Sequence, residues 1–293
     1  MFSINGIIVI NKEKGFTSHD AVAVMRKILG TKKVGHTGTL DPEATGVLPI
    51  CIGKGTKVSD MLTNSDKEYV ARVTLGKITD TEDIWGEVIE ENDASHITEE
   101  MVKDAVKKFI GEIEQIPPMY SAIKINGKKL YEYARKGIEV ERKSRIVTIK
   151  DIDVFGFKDG SFNMRVACSK GTYIRTLCHD LGASLGVGAC MSELTRTKSS
   201  VFTIENALTL DQIKEKAEAG KVKDIIVPVD ALFSDLEKIV LTEDYTAKIL
   251  NGMFLNVKLP DGKYRVYGFD GAFVCVGQIL DGTLKIVKNF YAG

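Results

Sequence analysis

Residues 35–50 read Gly35-His36-Thr37-Gly38-Thr39-Leu40-Asp41-Pro42-Glu43-Ala44-Thr45-Gly46-Val47-Leu48-Pro49-Ile50. The run sets one carboxylate, Asp41, in a bend rich in Gly, Thr and Pro. Gly35, Gly38 and Gly46 permit backbone angles and close approaches that a Cβ would forbid. Pro42 fixes its own φ and pushes Asp41 out of the helical region. A carboxylate on so stiff a turn, with apolar residues on both sides, is positioned rather than merely solvated. Local chemistry alone also fits an ordinary turn, because Asp and Pro are common turn formers.

Working outward, residues 7–10 form a short apolar run of strand type. Thr17 and Ser18 offer N-cap oxygens, with Asp20 in the first turn. Ala21, Val24, Met25 and Ile28 follow at helical spacing, and Gly30 ends the pattern. Residues 69–75 alternate and read as a strand. Thr98 begins a second helix with an apolar stripe of Val102, Ala105, Val106 and Phe109, and Gly111 is its expected C-cap. Asn126-Gly127 predicts a hairpin, followed by a short helix over 130–136 that stops at Gly137. Segments 145–157 and 161–169 read as paired strands around Asp159-Gly160. Ile174, Leu177, Cys178, Leu181 and Leu185 mark a third helix, ended by Gly186. From about Leu241 the texture changes. Turn signals at Asn251-Gly252, Asp261-Gly262, Asp270-Gly271 and Asp281-Gly282 recur every nine or ten residues and predict a compact all-β module, with a boundary near 235–240.

The chain has 293 residues, of which 44% are hydrophobic, enough for one large domain and a small one. No apolar stretch approaches the roughly 18 residues of a membrane span, and no signal peptide is expected. The five cysteines are scattered and odd in number, which predicts reduced thiols in a cytosol. The 40 basic and 40 acidic residues cancel. Their distribution does not. Residues 120–150 carry nine bases against three acids, and residues 79–115 carry twelve acids against three bases. A polyanion responds to that local field rather than to the sum.

The opening run resembles the catalytic motif of the TruB-type pseudouridine synthases. Gly6-Ile7-Ile8-Val9-Ile10-Asn11-Lys12 leading to Gly15-Phe16-Thr17-Ser18 is similar to that family's first strand and turn, without its usual proline after Lys12. Further blocks follow in family order: Lys67-Glu68-Tyr69 with Asp80-Thr81-Glu82-Asp83 and Gly86, then Pro117-Pro118-Met119-Tyr120-Ser121-Ala122 with Lys124, Gly127, Tyr131, Ala134 and Arg135. Ser169-Lys170-Gly171-Thr172-Tyr173-Ile174-Arg175 and Leu194-Thr195-Arg196 complete the set.

The resemblance implies a mixed α/β fold, with a largely antiparallel central sheet flanked by helices over residues 1–236. An RNA-gripping arm is expected near 117–145, and a small PUA-like β domain over 237–293. It implies isomerisation of uridine to pseudouridine in the TΨC arm of tRNA. Asp41 is the implied catalytic carboxylate, Tyr69 stacks on the flipped uracil, and Arg175 pairs with Asp41. Tyr173 and Leu194 are further pocket walls, and His36 touches the RNA. Lys12 and the arm residues Lys128, Lys129 and Arg135 are expected on the substrate side. The reaction loses no group and changes no oxidation state, so its chemistry demands neither metal nor organic cofactor. A monomer in the cytoplasm, with tRNA as partner and no obligate protein partner, is the resulting expectation.

Other chemistries fit poorly. Gly53-Lys54-Gly55-Thr56 lacks both the distal glycine and the Ser/Thr of a phosphate loop. Cys168, Cys178, His179 and Cys190 match no common zinc spacing, and no Gly-Xaa-Ser-Xaa-Gly elbow is present. The competing expectation is a tRNA-binding or folding chaperone that uses the same pocket without chemistry; a structural subunit of an RNA particle is a weaker one.

Overall fold

The apolar run at 7–10 becomes the strand Gly6–Lys12, which pairs antiparallel with Thr45–Ile52. Both are buried nearly throughout, so neither can be an exposed edge with alternating faces. The structure is a computed structural model, and it describes residues 4–291.

A nine-stranded sheet organises the first unit. Its spatial order is Gly6–Lys12, Thr45–Ile52, Ala189–Ser199, Lys67–Leu75, Ser161–Cys168, Arg145–Lys158, Gly111–Gln115. Val34–His36 adds to Thr45–Ile52, and Phe202–Thr203 to Ala189–Ser199. The ladders are antiparallel except where Thr195 and Arg196 run parallel to Thr45 and Gly46. That short parallel contact is where the loop carrying Asp41 enters the sheet.

Helix Ser18–Leu29 packs its buried Ala21, Val22 and Met25 into the main core beside Ile8, Ile10 and Leu48. Thr17 and Asp20 form a capping box, and Gly30 closes the helix with φ 61°. The helix begun by Thr98 spans Glu99–Val106. Gly111 does not cap it: a 3₁₀ turn, Lys107–Phe109, intervenes, and Gly111 at φ 108° opens the edge strand Gly111–Gln115. The Asn-Gly hairpin forms between Lys124–Ile125 and Lys128–Lys129, with Asn126 and Gly127 both at positive φ. The helix after it, Leu130–Ala134, ends two residues short of the expected 136. Helix Ile174–Ser184 covers the sheet with Leu177, Cys178 and Leu181.

Past residue 236 a second sheet forms in the order Glu237–Val240, Gly262–Tyr267, Phe273–Leu280, Thr283–Asn289, Leu255–Asn256. It also carries a helix, Glu243–Leu250, capped by Thr242, which turn spacing does not register. This unit is docked, not tethered. Val276 and Phe290 share a core cluster with Ile7, Val9, Val47 and Phe202, and Phe233 and Phe273 pack against it. Lys54 Nζ donates to the carbonyl of Tyr291 at 2.6 Å. All five cysteines are buried and free.

Candidate active site

The loop between Val34–His36 and Thr45–Ile52 carries Asp41, and its backbone is held from every side. The Ala44 N–H donates to the Asp41 carbonyl at 3.1 Å, closing a tight turn around Pro42. Ser18 grips Leu40 twice: its Oγ accepts the Leu40 N–H at 2.9 Å and donates to the Leu40 carbonyl at 3.2 Å. The Pro42 carbonyl accepts from the Gly15 N–H at 2.9 Å and from Lys12 Nζ at 3.0 Å. The Gly38 carbonyl accepts from Arg196 Nη2 at 3.1 Å. A loop with so few free backbone groups fixes where its side chain points.

Asp41 points into an open cleft of about 1550 Å³. Its side chain is 45% exposed, and Oδ2 lies 3.2 Å from Arg175 Nη2. Arg175 sits at the first turn of its helix, where a positive charge opposes the helix dipole. Four acceptors compensate. Beside Asp41 these are the Thr81 carbonyl at 3.1 Å, Asp83 Oδ2 at 3.4 Å and the Tyr120 carbonyl at 2.8 Å. The guanidinium is thus fixed from behind, and it presents one nitrogen to Asp41. Burial pushes the Asp83 carboxyl up, and the Thr81 hydroxyl and the Arg175 charge pull it back down.

Tyr69 stands opposite Arg196 in the pairing of their two strands, so the two side chains are neighbours. Burial raises the Tyr69 phenol, and the Arg196 charge opposes that rise. Arg196 is only 1% exposed, and its Nε donates to the Val47 carbonyl at 2.7 Å. With Nη2 on Gly38, this one side chain staples the start of the Asp41 loop to the strand that follows it.

The structure brings Asp41, Tyr69, Arg175, Tyr173 and Leu194 into one cleft, with Lys129 and Arg135 lining it as well. Lys129 and Arg135 both lie over the Tyr131 ring, at 5.3 Å each. Lys128 is exposed but lies off the cleft lining.

Lys12 is a correction. It is fully buried, and its Nζ is committed to the carbonyls of Glu13, Phe16 and Pro42 at 2.7–3.0 Å. Burial brings its ammonium down to about 8. It therefore cannot reach a substrate; it braces the turn below Asp41. His36 likewise sits behind the cleft lining, which His19 supplies. The two rings meet edge-on at 5.4 Å. His36 Nδ1 accepts the Gly38 N–H at 3.3 Å, and burial, with His19 and Arg196 nearby, lowers its pKa to about 4.

Sequence reasoning missed the parts played by Asp83, Ser18, His19 and Arg196. Asp83 and Arg196 do fall inside family-like blocks. Ser18 gave only a capping signal, and His19 gave none.

Comparison with known proteins bears on this geometry. Residues 26–174 match the TruB family pseudouridylate synthase N-terminal domain, and residues 175–234 match the tRNA pseudouridylate synthase B C-terminal domain. A protein of Bacillus pumilus called tRNA pseudouridine synthase B is 50% identical over 264 residues, covering 88% of this chain and 85% of its own. One of the same name from Clostridium tetani is 47% identical over 291 residues, covering 97% of this chain and 99% of its own. Among solved structures, a chain in a crystal structure of a Cbf5–Nop10–Gar1 complex superposes with a TM-score of 0.71 at 29% identity, over 98% of this chain and 85% of that one. A locked aspartate loop, an arginine braced from behind and relatives matched nearly end to end agree, and the chain belongs to the TruB family of pseudouridylate synthases.

Proposed function

We propose that this chain isomerises uridine to pseudouridine in tRNA, with Asp41 as its catalytic carboxylate. The observation that carries the assignment is a half-exposed Asp41 at the cleft surface, 3.2 Å from an arginine that is otherwise buried and fully engaged. A protein that only grips a polyanion gains nothing from a carboxylate facing its ligand. An enzyme that must open a glycosidic bond needs one.

The target is the uridine of the TΨC arm. It leaves its stack and enters the cleft, which costs stacking energy. Tyr69 offers a π face that returns part of that cost, roughly 1–3 kcal/mol per base. Asp41 then opens the C1′–N1 bond, and Arg175, 3.2 Å away, keeps its carboxylate aimed. Tyr69, Tyr173 and Leu194 enclose the freed uracil while it turns. The C1′–C5 bond forms, C5 loses its hydrogen as a proton, and N1 gains one. Product and substrate therefore contain the same atoms. Lys129 and Arg135, on an arm over 117–145, hold the phosphate backbone. Residues 1–236 act as the catalytic domain, and 237–293 act as a PUA-like RNA-binding domain. The protein works as a monomer in the cytoplasm. Among the described residues no helix is long and apolar enough to cross a membrane.

The test is direct. The purified chain is incubated with an unmodified tRNA transcript, and pseudouridine is mapped along it. One modified position, in the TΨC arm, is expected. Tight binding with no pseudouridine anywhere would favour a chaperone instead.

A further inference from the structure

We propose that Trp85 is a stacking platform on the rim of the active cleft: its indole packs on a nucleobase next to the flipped uridine, and Lys14 beside it pairs with the adjoining phosphate. The inference rests on tRNA being the substrate.

Trp85 is the only tryptophan in the chain. A lone large aromatic ring usually anchors a core, because it buries more apolar area than any other side chain. This one is 45% exposed and lines the cleft that holds Asp41. Its position is built. The Trp85 backbone N–H donates to Asp83 Oδ1 at 3.2 Å, and Asp83 Oδ2 lies 3.4 Å from Arg175 Nη1. Arg175 in turn holds Asp41 at 3.2 Å. The backbone that carries the exposed ring is therefore two residues removed from the proposed catalytic carboxylate.

Lys14 Nζ lies 4.9 Å from the centre of the Trp85 ring. It also lies 3.4 Å from Glu43 Oε2, with the two side chains 59% and 37% exposed. So exposed a pair is weak and exchangeable, and a phosphate can take the place of Glu43 on Lys14. An aromatic face with a cation beside it is the combination that single-stranded nucleic acid recognises, whatever the base. The charges around the cleft suit that ligand: ten Lys and Arg side chains, Lys129, Arg135 and Lys170 among them, line it against four Asp and Glu. The aliphatic neighbours Ile84 and Val88, also exposed, offer no such face.

A single tryptophan makes the test specific. Indole emission of the full chain is followed while unmodified tRNA transcript is added, and binding is measured in parallel by filter retention. The emission should quench saturably along the same curve as retention. Replacing the ring should weaken binding about tenfold in W85A and in W85L, which keeps apolar bulk but no π face, whereas W85F should stay within about threefold of the native chain. Emission that ignores tRNA while retention saturates would overturn the inference and leave the enzyme assignment standing. W85L binding as tightly as W85F would overturn it too. Failure of tRNA to be retained at all would overturn the tRNA reading, and this inference with it.

Discussion

Lys12 shows how a buried charge can brace the loop that carries Asp41. Its ammonium is buried among three carbonyls, one of them that of Pro42 directly after Asp41. Removing the donor leaves three acceptors unsatisfied, at about 1–3 kcal/mol each where water cannot reach. Lys12→Met is therefore expected to lower unfolding free energy in urea by at least about 2 kcal/mol and to slow the reaction by loosening Asp41. A variant as stable as the native chain would refute the bracing role. His36 makes a pH prediction. Its folded pKa of about 4 lies below the ordinary 6.5, so the unfolded chain binds the proton first. Stability from the neutral ring is complete above pH about 6.5 and is lost as pH falls towards 4, amounting to about 3 kcal/mol. Thermal melts of the native chain and His36→Asn should converge by that amount between pH 7 and pH 4. Parallel curves would show that His36 titrates normally.

At the scale of elements, Gly46 is the point on which the site turns. Its φ is 104°, and a Cβ there would fall 2.8 Å from the Arg196 backbone nitrogen and nearer still to its carbonyl oxygen. Gly46→Ala must part the strands Thr45–Ile52 and Ala189–Ser199, and Arg196 would lose its hold on Gly38. We expect a loss of more than about 3 kcal/mol of stability, read from urea midpoints, and loss of activity in whatever protein folds. Tolerance of alanine would mean that the strands are not so close. This junction also marks what the sequence could tell. The helix Ser18–Leu29 was legible because its Thr17 cap, Asp20 and Gly30 all act within one helix. The bend at Asp41 was legible because Pro42 and three glycines act locally. Gly111 misled because a glycine after an apolar stripe can equally open a strand. The Arg196 staple and the Lys12 cage join residues far apart in sequence, and lysine and arginine are ordinarily exposed. The helix Glu243–Leu250 was hidden by the turn signals that follow it.

Over the whole molecule, a chain of zero net charge must bind RNA through its local field. Lys129 and Arg135 line the cleft and Lys128 stands beside it, all within the basic segment 120–150. Replacing the three by glutamine should weaken tRNA binding and reduce the slope of log K against log salt by about 2–3. An unchanged slope would remove this segment from the interface.

The central claim is that one carboxylate, held by a buried arginine, performs the isomerisation. Its most direct measurement compares native chain and Asp41→Asn on unmodified tRNA, scoring pseudouridine under single-turnover conditions and binding by filter retention. The amide keeps the shape of the side chain and removes its charge. The account predicts no detectable pseudouridine and an affinity within a few fold of native. Pseudouridine formed by Asp41→Asn at the native rate would contradict it.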